Sequence, residues 1–177
     1  MEIASKTIPV GASRLVTFRP AAGEDDALLL QLYGSMREEE LALTNWDAAQ
    51  REAFLRMQLD AQQTHYRKYY PGGEHLAILA DGEAIGRLYV AVTDREVRIL
   101  DITILPAHRN AGIGTPVVKE LMDEAEVLDK PLTIYVEANN PSLRLFERLG
   151  FVKAGENGYS FLMEWRPEAE KRGIEHG

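Results

Sequence analysis

Residues 102–115 read Ile102-Thr-Ile-Leu-Pro-Ala-His-Arg-Asn-Ala-Gly-Ile-Gly-Thr115. The β-branched opening is strand-like, and Pro106 ends it. Past the glycines the apolar period becomes helical: Val117, Val118, Leu121, Met122, Ala125 and Leu128 fall on one face. A helix start holds backbone N–H groups without intrahelical partners and carries a partial positive charge, so it is a ready anion site. Gly112 and Gly114 let the backbone approach phosphate oxygens, and glycine tolerates positive φ. Arg109 supplies a cation and Thr115 a hydroxyl donor, while Pro116 sits in the first turn, where its missing N–H costs little. The segment predicts a phosphate or pyrophosphate held largely by backbone.

Two other phosphate loops fail on spacing. A nucleoside-triphosphate loop ends Gly-Lys-Ser/Thr, whereas this one ends Gly112-Ile-Gly-Thr115. A dinucleotide fingerprint needs a third glycine after Gly114, and Thr115-Pro-Val117 follows instead.

Working outward, residues 1–13 are mixed in character and read as a loose arm, and 15–18 as a short strand. A helix opens at Gly23-Glu-Asp-Asp26 and runs to about residue 40, its acidic start suiting the helix dipole. Asn45 or Asp47 caps a second helix, in which Ala53, Phe54, Met57 and Ala61 recur at helical spacing, up to Pro71-Gly72-Gly73. Its end, His65-Tyr-Arg-Lys-Tyr-Tyr70, is either a buried stripe with a solvated basic face or a cleft wall. Runs at 75–80, 84–92 and 96–105 form a three-stranded antiparallel meander, the first two joined by a hairpin through Asp81-Gly82-Glu83. Residues 132–136 predict a buried strand and 141–149 a short helix closed by Gly150. A strand opens at Phe151-Val152, Asn157-Gly158 marks a turn, and residues 159–165 form the last strand. The tail from Pro167 reads as frayed. This order predicts an α+β fold around one mixed sheet, in a single domain over 1–177.

Composition narrows the function. The chain is 45% hydrophobic and 27% charged, ordinary for a globular domain. It has no cysteine, which excludes disulfides, thiolate metal sites and cysteine nucleophiles and suits a reducing compartment. The net charge of −8 argues against nucleic acid. Neither a signal peptide nor a membrane span is evident, so a cytoplasmic protein is expected, with no membrane partner. Four scattered histidines without His-x-x-x-His spacing predict no metal, and His108 reads as solvent-exposed.

Arg109-x-x-Gly112-x-Gly114 after a strand resembles the motif A loop of the GNAT acyltransferases. Residues 136–151, Val136-Glu-Ala-Asn-Asn-Pro-Ser-Leu-Arg-Leu-Phe-Glu-Arg-Leu-Gly-Phe151, resemble motif B of the same family. The resemblance implies a mixed, mainly antiparallel central sheet with two splayed parallel strands, at 98–105 and 132–136, and helices on both faces. It implies acetyl-CoA as co-substrate, its pantetheine arm lying in the splay. Backbone at Ile102, Thr103 and Ile104 would bond that arm. The loop contacts would be Arg109, Asn110, Ala111, Gly112, Ile113, Gly114 and Thr115. The motif B asparagine precedes the helix aromatic by seven, which selects Asn139 over Asn140. The acceptor would be a primary amine, on a small molecule or a peptide, attacking the thioester directly. Dimers are common in the family, so a homodimer is compatible.

The chain also departs from the family pattern. Phe146 stands where the family's proton-donating tyrosine is usual, and Ile134 where some relatives carry a glutamate. The remaining base candidates are Glu96, Asp101 and Glu137. Asp101 leads because it interrupts an apolar run and needs a partner there, Arg87 or Arg98. Tyr159 and Tyr135 are the tyrosines nearest in sequence for the acid, and Tyr159 is taken as the candidate. Trp46, Tyr66, Tyr69 and Tyr70 either line an acceptor pocket or fill the core. Without a donor at position 146, a CoA-binding protein lacking transferase activity stays open beside the enzyme.

Overall fold

In the computed structural model, which describes residues 1–168, the alternating apolar runs assemble into one eight-stranded sheet. The strands are β1 (Thr7–Val10), β2 (Arg14–Pro20), β3 (Glu74–Ala80), β4 (Glu83–Val92), β5 (Val97–Ile104), β6 (Leu132–Glu137), β7 (Val152–Asn157) and β8 (Ser160–Trp165). Their order in the sheet is β1-β2-β3-β4-β5-β6-β8-β7. Only the β5–β6 pair is parallel; its connection is the long crossover that parallel pairing requires. The expected mixed, mainly antiparallel sheet and its meander are therefore present.

The helices are α1 (Asp26–Ser35), α2 (Glu38–Ala42), α3 (Ala48–Tyr69), α4 (Gly114–Val127) and α5 (Leu143–Arg148). Side chains alternate across a strand, so each strand divides its residues between two layers. Leu76, Ile78, Leu88 and Val90 join the main core with Val117, Val118 and Leu121 of α4 and Phe146 of α5. The alternate residues His75, Arg87, Tyr89 and Asp101 meet α3: Gln62 bonds Arg87, and Tyr66 lies against Tyr89. A mostly polar row on the sheet thus faces one helix layer, and an apolar one faces the other.

Three local expectations are corrected. Residues 1–13, read as a loose arm, carry the edge strand β1, and Ile3 is buried in the core. The helix expected to run from 23 to about 40 is broken at Met36-Arg37, where the Met36 and Arg37 N–H groups close back on Tyr33 and Gly34 and Ser35 Oγ donates to the Leu32 carbonyl. Of the helical repeat Ala53, Phe54, Met57 and Ala61, only Phe54 is half-buried and the others are exposed; α3 buries Leu55 and Leu59, continued by the half-buried Gln62 and Tyr66. Asp47, not Asn45, caps α3, in a reciprocal box with Gln50. The expected C-terminal tail lies, from residue 169, outside the described residues.

Arg19 and Asp25 clamp the entry to α1. The Arg19 guanidinium donates two bonds of 2.7 and 2.8 Å to the buried Asp25 carboxylate, which also accepts from the Ala22 N–H. The Arg19 bonds hold the Asp25 carboxyl below its usual range.

At Gly86 the strands approach closely: a Cβ placed there would meet the Thr103 carbonyl oxygen at 2.7 Å. Backbone cannot swing aside as a long side chain can. Gly86→Ala is therefore expected to destabilise the fold by about 1–3 kcal/mol, as overpacking does, read as a lowered urea midpoint with an unchanged slope.

Candidate active site

β5 runs parallel to β6 for only three paired positions, Val97↔Leu132, Arg98↔Thr133 and Ile99↔Ile134. Both strands continue, to Ile104 and Glu137, without further pairing to each other. The break coincides with a bulge on the other edge of β5. There Tyr89 opposes Asp101 and Val90 opposes Ile99, so Leu100 has no partner on β4. The Leu100 carbonyl accepts instead from the Tyr66 hydroxyl at 3.0 Å. The implied splay is thus present, and it opens a cavity of about 260 Å³.

Leu100, Asp101, Ile102 and Thr103 line the cavity from β5, and Ile134, Tyr135, Val136 and Glu137 from β6. Tyr33 and Arg37, Gln62 and Tyr66, and Arg87 close it from α1 and the α1–α2 turn, α3 and β4. Ile104, the third expected backbone contact, does not line it; its carbonyl accepts from Arg109 Nε at 2.9 Å.

The glycine loop lies between the end of β5 and α4. Asn110 and Gly112 both have positive φ, +57° and +75°, which in Gly112 meets the conformational freedom expected of it. Ile113 is buried in the core and anchors the loop, so only its backbone is available to a ligand. No side chain caps the first turn of α4 and no acidic residue stands in it, leaving the N–H groups near Gly114 and Thr115 uncapped. Arg109 is more engaged than its sequence position implies: besides Ile104 it donates to Ser35 Oγ at 3.0 Å. It ties the loop to the end of β5 and to the C-terminal end of α1. Ala111 is exposed beside these residues.

Asp101 has the partner its apolar surroundings demanded. Its carboxylate lies 3.3 Å from Arg87 Nη1 and accepts from Thr103 Oγ1 at 2.8 Å. The side chain is still 24% exposed, toward the cavity. Burial raises its pKa above the usual carboxylate range, against the opposing pull of Arg87 and Thr103. The other two base candidates are less suited. Glu96 is spent on Arg98 (2.7 Å) and the Thr133 hydroxyl (2.8 Å) and does not line the cavity. Glu137 lines it, 3.6 Å from Arg37.

Tyr159 is corrected as acid candidate. It sits in the β7–β8 turn with 90% of its surface exposed and does not line the cavity. Tyr135 does line it, with the Arg98 guanidinium over its ring. Phe146 is fully buried against Phe151 and borders the cavity with no proton to give. Asn139 is exposed, and it is Asn140 that lines the cavity, its Oδ1 accepting from the Ser142 N–H. Among the described residues no cluster of His, Asp and Glu could hold a metal, and no helix is long and apolar enough to cross a membrane.

Sequence reasoning missed Tyr33, Arg37 and Gln62. The available signal was α3's true inward stripe: Leu55, Leu59, Gln62 and Tyr66 share one face, and its last two members are polar, which a purely apolar interface would not place there.

The model of the acetyltransferase (GNAT) family matches residues 40–151. The chain belongs to this family. It is similar to the mycothiol acetyltransferase of Saccharopolyspora erythraea, 30% identical over 100 residues, which is 49% of this chain and 33% of that protein. The chain thus spans about a third of the length of that relative. Among solved structures it is similar to PaiA N-acetyltransferase from Thermoplasma acidophilum in complex with coenzyme A, with a TM-score of 0.64, 16% identity and coverage of 85% of this chain and 98% of that one. It is also similar to RimJ of Mycobacterium smegmatis in complex with CoA-disulfide, with a TM-score of 0.64, 19% identity and coverage of 93% and 87%. At these identities the two structures speak for the fold.

His75 offers a test of the polar row. Its Nε2 accepts from Arg87 Nε at 3.0 Å, and burial, with Arg87 beside it, pushes its pKa down to about 4 from the usual 6.5. Unfolding lets the imidazole take up a proton, so its contribution is present above pH 6.5 and lost as pH falls toward 4. His75→Gln is expected to flatten the stability profile over that window relative to wild type, in urea melts at half-unit pH intervals.

Proposed function

We propose that the protein transfers an acetyl group from acetyl-CoA to a primary amine by direct attack within a ternary complex. The observation that carries this is the β5–β6 splay. It has an uncapped helix start at one end and a partly open carboxylate, Asp101, inside. Backbone N–H groups from Asn110 to Thr115 and the α4 N-terminus would hold the pyrophosphate. Backbone at Ile102 and the Ile104 N–H would hold the pantetheine arm along the edge of β5 that β6 leaves free, Thr103 backbone facing β4, with Asn140 rather than the exposed Asn139 on the cavity side. The acceptor is an amine of a small molecule or a peptide. The cytoplasm is the matching compartment for a cysteine-free chain.

Asp101 acts as the base, directly or through one water. An ammonium acceptor gives it one proton, and the neutral amine attacks the thioester carbonyl. Loss of the second N–H proton to solvent and departure of the thiolate leave an amide; the thiolate then takes a proton from water. The carbon–sulfur bond breaks and a carbon–nitrogen bond forms, with no change in oxidation state. The thiolate does not require a placed donor, since thiols such as cysteine have pKa values of about 8.5. This makes Phe146 compatible with turnover. Tyr66 is a poor acid: its hydroxyl is committed to Leu100, and burial pushes its pKa up to about 12. The thioester is already reactive, so holding both reactants in the splay supplies much of the acceleration.

Phe146 also favours a second reading, a CoA-binding protein without turnover. Thiol release from acetyl-CoA across an amine panel separates the two: binding without release supports the second. Gly112→Val, a β-branched side chain forced to φ +75°, is expected to abolish acetyl-CoA binding in calorimetry while α4 remains folded by circular dichroism. Retained affinity would remove the loop from the site.

The base assignment is checked by pH. Because the Asp101 pKa is raised, the acidic limb of kcat/KM should lie above the ordinary carboxylate range, with activity lost as pH falls through it. Asp101→Asn is expected to lower kcat on the order of 10²–10⁴-fold and to remove that limb. An unchanged limb would place the base elsewhere.

A further inference from the structure

Two guanidinium groups on the cavity wall carry donors that no acceptor among the described residues meets. Arg87 is 2% exposed yet stands on the cavity wall. Its Nε donates to His75, and its Nη1 donates to Gln62 at 2.8 Å and faces Asp101. Nη2 is buried and meets no acceptor among the described residues. Arg37, on the α1–α2 side, repeats the pattern: Nη1 donates to Glu40 at 3.0 Å, while the buried Nε has no acceptor among the described residues. Buried guanidinium donors are rarely left open, because no neutral form relieves them. Both stand on the wall of the same cavity.

The wall therefore carries two guanidinium groups with unmet donors and two carboxylates, Asp101 and Glu137. Such a mixed lining matches a ligand that is itself a zwitterion. A phosphate would bring excess negative charge against both carboxylates. A cavity of about 260 Å³ that also receives the acetyl end of the donor leaves room for a small molecule only. We infer that the acceptor is a small amine that also carries a carboxylate, an amino-acid-like molecule. Its carboxylate bonds Arg87 Nη2, with Arg37 as the second cation, and its amine is directed to Asp101. This rests on the acetyl-transfer reading above and names its substrate class. Arg87 is on this view a specificity residue, and Asp101 stays polarised between it and the acceptor amine.

The test uses the full chain, saturating acetyl-CoA and thiol release. The common amino acids are compared each with its own carboxamide, which keeps the amine and loses the charge. At least one acid is expected to exceed its carboxamide by tenfold or more in kcat/KM, the scale of one charge-assisted bond. Arg87→Gln should bring that ratio toward one, mainly through the KM of the acid. Should Arg87→Gln fail to fold by circular dichroism, Arg37→Gln is the second variant and should also reduce the ratio. Equal rates for acids and carboxamides in the wild type would overturn the inference and leave acetyl transfer standing. If neither series releases thiol, acetyl transfer to such amines fails. Thermal melts with CoA then decide the carboxylate site by themselves: stabilisation by an acid but not its carboxamide supports it, and none with either overturns it.

Discussion

The two edges of β5 cannot both be satisfied along its whole length. One edge is bonded antiparallel to β4 and the other parallel to β6, and the parallel pairing lasts only three positions. Every N–H and C=O that a strand presents needs a partner. The bulge at Leu100 increases the local bend and turns the rest of β5 away from β6. Tyr66 meets the Leu100 carbonyl that the bulge frees. Everything that distinguishes the site follows: an unshared strand edge, a cavity between two strands, and a carboxylate one residue beyond the bulge. The glycine loop follows the end of β5 and is tied to it through the Ile104 carbonyl by Arg109.

The electrostatics of that gap are set by which face of the sheet each residue joins. The apolar layer under α4 is continuous and closed. The opposite layer places His75, Arg87, Tyr89 and Asp101 in neighbouring register, beneath Gln62 and Tyr66 of α3. With His75 held neutral, Arg87 is the one cation of that row, balanced by Asp101 across 3.3 Å. Removing either partner would strand a buried charge, which costs far more than the pair itself contributes. Chemistry and structure are therefore coupled here: the groups proposed to orient a substrate also hold the helix layer to the sheet.

The acceptor side of the molecule was the less legible part. Loop and meander showed as strong periods and glycines with positional meaning in contiguous sequence, and the splay was implied by the family resemblance. The cavity wall is drawn from α1, the α1–α2 turn, α3 and β4, with no spacing rule linking them. Apolar counting picked out Ala53, Phe54, Met57 and Ala61 on α3, of which only Phe54 is half-buried, whereas the packing buries Leu55 and Leu59. The N-terminal strand was missed for a related reason: a four-residue edge strand has too short a period to show. Tyr159 looked near the site in chain order, yet lies at a hairpin end that faces solvent.

Beyond the splay, which only the family resemblance implied, the sequence by itself determined the α+β order, a helix start at the glycines, and Asp101 as a charge requiring a partner. These are local facts: periods, glycine conformations and a lone carboxylate in an apolar run are written in adjacent residues. Only the tertiary structure decided that Arg87 rather than Arg98 is that partner, that Arg109 is tied to Ile104 and Ser35, that Tyr159 is remote, and that Arg37, Gln62 and Tyr66 converge on one cavity. Those choices depend on register, on one bulged residue and on the rotation of α3. Each shifts a side chain from one face to the other without altering any local pattern.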